Sequence, residues 1–169
     1  MYLAWAHPTR RETTHTLEQL VQTGESLLAQ TPSEMHAKGT SHADQLHAIV
    51  QRNDFLQSVG ADTTLSWTIE GCHRARISGR ALITAIAVLR FHKDKTTWPQ
   101  SLEELASAGY IREIPIDPYS GKPLVYKPTA DSFTLYSCGQ DFDDDGGTPG
   151  QWGRPPRGGD QVFWPVEKH

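Results

Sequence analysis

Apolar positions along the chain change their period near Trp98. Before it they recur every three or four residues, the spacing of helices; after it they fall into short runs broken by glycine and proline. Residues 1–12 read as a loose start. Thr16-Leu17-Glu18-Gln19 has the hydroxyl-to-amide spacing of a capping box and predicts a helix start, followed by an apolar stripe of Leu17, Leu20, Val21, Leu27 and Leu28. Thr31-Pro32-Ser33-Glu34 repeats the signal, with proline at the first helical position. A further helix is expected from about His42 to Ser58, through Leu46, Ile49, Val50 and Phe55, closed by Gly60.

Residues 65–93 predict a long spine helix. Ala75, Gly79, Leu82, Ile86 and Leu89 mark its interior face, and beyond Ala81 it is apolar on most sides, as a core helix is. Arg74, Arg76, Arg80 and Arg90 are expected on a solvated face. A short helix follows at 101–108, with Ser101 as N-cap, Glu104 completing a capping box and Gly109 as stop. Three prolines keep Ile114–Pro123 out of helix and central strand, which leaves an ordered crossing loop with a turn at Ser120-Gly121.

Strands are expected at Leu124–Lys127 and Ser132–Ser137, and a last one through Gln161–Trp164, where Pro165 argues for an edge or a strand end. Trp98, Tyr110, Tyr119 and Tyr126 are expected to form a small aromatic core under the crossing loop, with Trp152 and Trp164 as candidates for exposed partner contact. The fold class is α+β: a helical region at 1–64, then a domain at 65–169 with its sheet and acidic loop at 124–166.

Composition narrows the function. A net charge of -4 and a pI near 6.0 supply no basic field for nucleic acid. The most apolar run, Ala81–Phe91, is shorter than the roughly 20 residues a membrane crossing takes. The opening residues lack a basic region followed by a sustained apolar stretch, so no secretory signal is expected there. The two cysteines, Cys72 and Cys138, read as separate small hydrophobic residues. The eight histidines show no zinc-binding pattern, and no nucleophile elbow, phosphate loop or dinucleotide fingerprint occurs.

One segment is chemically distinctive. Asp141, Asp143, Asp144 and Asp145 crowd a loop that holds no Lys or Arg from Gly139 to Gly153. Two carboxylates about 4 Å apart repel by roughly 1 kcal/mol in water and roughly 4 kcal/mol near a protein surface. Three resolutions are open: a solvated loop, neutralisation by Arg154 and Arg157, or a hard divalent cation. The Asp141-x-Asp143-x-Asp145-Gly146 spacing favours the cation, and an all-oxygen set selects calcium. Trp152 stands where an EF-hand would need glutamate, so this is no EF-hand, and Asp160 offers a further carboxylate where the chain enters its last strand.

From about Leu82 to Trp164 the chain resembles the C-terminal domain of the major pseudopilin of type II secretion systems. The likeness rests on Trp98-Pro99, Ala108-Gly109-Tyr110-Ile111, Pro115-Ile116-Asp117-Pro118, Tyr136-Ser137-Cys138-Gly139-Gln140-Asp141, Gly146-Gly147 and Asp160-Gln161-Val162, in that order. It implies a calcium ion between the last two strands, held by Asp141 and Asp160 and by backbone carbonyls near the strand end such as that of Ser137; Asp143, Asp144 and Asp145 fall where the family's loop is variable and join the candidate set on their spacing. It further implies a non-enzymatic structural or assembly role through protein partners or self-assembly, on the extracytoplasmic side. Pseudopilins open with a leader and a hydrophobic assembly helix, and residues 1–80 here show neither. The alternatives are a metal-dependent hydrolase built on the aspartate loop and a cytoplasmic helical protein whose acidic loop is merely solvated.

Overall fold

A computed structural model describes residues 8–150 and 158–165. It is an α+β protein: helices first, one of them long, then a small antiparallel sheet. The chain forms two compact units, residues 1–74 and 75–169.

The first unit carries α1 (Arg10–Leu27), α2 (Pro32–Ala37), α3 (His42–Val50), α4 (Asp54–Ser58) and the start of α5 (Ala61–Lys95). α1 begins earlier than the Thr16 signal predicted. Thr9 is its N-cap, and the Glu12 carboxylate accepts from the Thr9 amide at 2.7 Å, closing a reciprocal capping box. Thr16 lies inside the helix and gives its hydroxyl to the Glu12 carbonyl. The buried face is accordingly Leu20, Gly24 and Leu27, while Leu17 and Val21 are exposed.

Thr31 and Glu34 cap α2 as the spacing requires. The single helix expected from His42 to Ser58 is in fact two. Asn53 interrupts it, accepting from the Leu56 amide at 3.1 Å and so starting α4 afresh. Leu56 becomes buried and Phe55 exposed, reversing the expected face. Leu20, Leu27, Met35, Leu46, Val50, Leu56 and Ile69 make the core of this unit.

His42 and His73 stack in parallel in the same unit, 5.6 Å between ring centroids, both buried. Burial pulls the His42 pKa down, against the opposing charge of Glu70 and the Gln30 backbone.

The second unit contains the remainder of α5, then α6 (Leu102–Ser107), β1 (Val125–Pro128), β2 (Phe133–Ser137) and β3 (Gln161–Trp164). α5 buries a different face from the one expected. Ile77, Ala81, Ala85, Val88 and Phe91 enter the core, whereas Ala75, Gly79, Leu82, Ile86 and Leu89 point outward. The helix is apolar on two sides, and period alone does not say which side the sheet takes. Arg74, Arg76, Arg80 and Arg90 are exposed, as expected.

Ser101 caps α6 by accepting from the Glu104 amide, although the Glu104 carboxylate reaches the Gln100 amide (2.6 Å) in place of that of Ser101. Gly109, at φ 78°, closes α6 in the left-handed region, and the Tyr110 amide returns to the Leu105 carbonyl.

The sheet order is β1-β2-β3, antiparallel throughout, with β2 central. Pro128 sits at the end of edge strand β1 and Pro165 directly follows edge strand β3. Phe133 is the aromatic centre: Trp164 stacks on it at 5.2 Å, with Trp98 at 5.6 Å and Tyr126 at 5.7 Å. Trp164 is therefore part of this packing, not the exposed contact residue expected, and its indole N–H donates to Ser132. Trp152 lies outside the described residues. Trp98 also stacks on His92 at 3.7 Å, and Tyr126 gives its hydroxyl to the Pro99 carbonyl.

The histidine pair generates a pH prediction. His42 holds a folded-state pKa below its unfolded value, so its contribution to stability is complete above about pH 6.5 and is lost as pH falls below that. Melts of the wild type and of His42→Leu across that range should diverge, the variant losing less stability in acid.

Candidate functional site

The acidic loop joins β2 to β3, and a buried carboxylate organises each of its boundaries. The first is Asp117, in the crossing loop and 1% exposed. That loop folds back on itself as a hairpin, with the Asp117 amide donating to the Lys122 carbonyl at 2.8 Å and the Gly121 amide to the Asp117 carbonyl at 2.9 Å. The turn delivers the Asp117 side chain to the end of β2. Oδ1 accepts from the Tyr119 amide (3.1 Å) and the Ser137 hydroxyl (2.8 Å); Oδ2 accepts from the Ser120 hydroxyl (3.0 Å) and the Cys138 amide (3.2 Å). Ser137 then accepts from the Gly139 amide at 3.2 Å. The Ser137 side chain is thus a relay between the two loops, a role that its reading as a backbone ligand did not contain.

Cys138 is buried beside this cluster, and burial, with the negative charge of Asp117, pushes its thiol up to about 12. It is an inert neutral thiol. Cys72 is a separate free cysteine.

After Cys138 the chain makes a tight turn at Gly139–Asp141. Gly139 takes φ 77°, and a Cβ there would come within 2.9 Å of the Gly159 carbonyl, so the two ends of the loop approach through glycine. Asp141 ties them together: its Oδ2 accepts from the Gly159 amide at 2.9 Å and its Oδ1 from the Asp143 amide at 3.3 Å.

The second organising carboxylate is Asp160, 2% exposed at the entry to β3. Its Oδ2 accepts from the Gly147 amide at 2.6 Å and its Oδ1 from the Asp145 amide at 3.4 Å. Its own backbone pairs with Thr148 and Gly150. Burial raises the Asp160 pKa, and the charges of Asp144 and Asp145 add to that, against the two amide bonds.

The remaining aspartates face other ways. Asp144 accepts from the Tyr136 hydroxyl (2.8 Å) and the Gly146 amide (3.0 Å), and the first of these bonds leads in pulling its pKa down. Asp143 accepts from the Asp144 amide, and Asp145 is exposed, entering the network through its backbone. Alternate carboxylates therefore do not turn to a common centre, as the Asp141-x-Asp143-x-Asp145 spacing predicted. Among the described residues no three acidic, histidine or cysteine side chains are grouped around a point where an ion would sit. Backbone N–H groups, densely supplied by a loop of turns, take up the carboxylate oxygens instead.

A cation does approach, from a strand the charge count overlooked. Lys127 of β1 stands over the Tyr136 ring at 4.9 Å and donates to the Gly146 carbonyl at 3.4 Å. The sheet register carries the signal: Lys127 pairs with Thr134, so it lies diagonal to Tyr136. Arg154 and Arg157 lie outside the described residues. In chemistry the oxygen set of Asp141, Asp160 and their neighbours suits a hard cation such as calcium; in geometry, taking one up requires Asp141 and Asp160 to exchange amide contacts for it.

No helix among the described residues is long and apolar enough to cross a membrane.

The two buried carboxylates are expected to differ in weight. Asp117→Ala orphans four donors and should cost about 3 kcal/mol or more. Asp160→Ala frees two amides but also removes a charge that burial disfavours, so about 1–2 kcal/mol is expected. Urea unfolding of both variants would check the order.

No protein-family model matches the chain, and neither the curated proteins nor the solved structures include a significant match.

Proposed function

We propose that residues 75–169 form a non-enzymatic, pseudopilin-like structural module, with calcium bound in the β2–β3 loop as its stabilising ion. Its work is assembly or partner contact on the extracytoplasmic side, where calcium is abundant. The element order supports this reading: a long helix, a short capped helix, a proline-rich crossing loop, and three antiparallel strands with the acidic loop before the last.

The observation that carries it is Asp160. This carboxylate is buried, has two backbone amides as donors to its side chain, and feels the charges of Asp144 and Asp145. A cation placed there offsets the burial and the like charges, in exchange for the two amide contacts. Asp141 and Asp160 would hold the ion with the Ser137 carbonyl, and Asp143, Asp144 and Asp145 would have to turn from their present amide, hydroxyl and solvent contacts to complete the set. The ion would contribute charge neutralisation and loop order, not chemistry on a substrate.

The test is a set of thermal melts in calcium, in magnesium and in chelator. Calcium at about a hundred times its dissociation constant should add about 2.7 kcal/mol, a rise in Tm on the order of 10 °C for a unit of this size, and Asp141→Ala should abolish most of it. A melt indifferent to all three conditions would overturn the calcium reading. Hydrolytic activity that disappears with the metal would overturn the non-enzymatic one.

A further inference from the structure

We infer that the outward face of α5 between Gly79 and Lys93 docks an amphipathic helix of another protein whose flanks are acidic. Such docking does not depend on an ion in the aspartate loop.

The face is apolar where a lone domain has no reason to be. Leu82 is 62% exposed, Ile83 64%, Ile86 49% and Leu89 37%, although the opposite side of the same turns already fills the core with Ala81, Ala85, Val88 and Phe91. Four large aliphatic side chains adjoin on one surface, and contiguous patches of this kind mark interaction sites.

Their spacing selects the shape of the occupant. Gly79, Leu82, Ile86, Leu89 and Lys93 follow one another at alternating intervals of three and four residues, so they form a seam nearly parallel to the helix axis. The seam extends about 21 Å at 1.5 Å per residue. A second helix lying at a shallow angle is the element that fits side chains into such a row.

The charges select its chemistry. Two cations, Arg90 and Lys93, stand at the C-terminal end of the seam against a single acid in that turn, Asp94. That carboxylate already accepts the Tyr110 hydroxyl at 2.8 Å. Lys93 stands in the seam itself and Arg90 at its edge. A second copy of this chain would bring like charges together along the contact. A helix with aliphatic residues on one face and glutamates beside them would bury the patch and pair the cations.

Two synthetic peptides of about three heptads test this, both with leucine at the seam positions, one flanked by glutamates and the other by lysines. Neither pairs with itself readily, because its flanks repel. Titrated into the full chain at low salt, the glutamate peptide should bind at least about tenfold more tightly than the lysine peptide, and should weaken as salt is raised. Ile86→Lys, and independently Leu82→Lys, should each reduce its affinity about tenfold or more while leaving the thermal melt unchanged, since both positions are largely exposed. Equal affinity for the two peptides, or none for the glutamate peptide, would overturn the proposal. A dimer of the chain alone that dissociates on Ile86→Lys would overturn it in favour of a second copy.

Discussion

Buried carboxylates with no cationic partner among the described residues place a demand on everything around them. An ionised group taken out of water must recover its solvation from the protein. At Asp117 two amides and two hydroxyls supply it, and those donors belong to both the crossing loop and the end of β2. The crossing loop therefore adopts its hairpin turn, and β2 ends where it does, because both serve one side chain. Asp160 imposes the same demand at the other boundary, drawing the Asp145 and Gly147 amides inward. The described part of the loop between is tied to these and the neighbouring acids through the Asp143, Asp145, Gly146, Gly147 and Gly159 amides.

Much of this organisation was legible as local chemistry. Thr31 with Glu34, Ser101 before α6, and Gly109 after it are short-range devices whose partners lie within four residues, so spacing reveals them. The long helix, the three strands and the edge position of β3 followed from period and proline. Where the reading failed, two local solutions competed. Thr9-Glu12 and Thr16-Gln19 both fit a capping box, and the first one won because nothing upstream stopped the helix from starting sooner. Asn53 works as an N-cap inside a run that still scans as helical.

α5 failed for another reason. Two apolar stripes share that helix, and choosing between them needs the position of the sheet, which is a long-range fact. The directions of the aspartate side chains were hidden for a related reason. Sequence displays the charges but not the direction of backbone N–H groups, which is set by turns such as those at Gly139 and Gly147. Lys127, distant along the chain, entered only through the strand register. Asp117 was visible as part of a motif, while its role as an acceptor for four donors was not.

The prolines at the sheet's margins have a consequence for how this unit meets other molecules. Pro128 cannot donate at the end of β1, and Pro165 stops β3 after four residues, so both outer strands offer only a short, interrupted row of main-chain groups. An incoming extended peptide would find too few rungs to zip onto, and neighbouring copies too little edge to stack into fibres. Any recognition by this unit would thereby be pushed off the β-ladder and onto side chains, which can discriminate between partners where a bare backbone cannot.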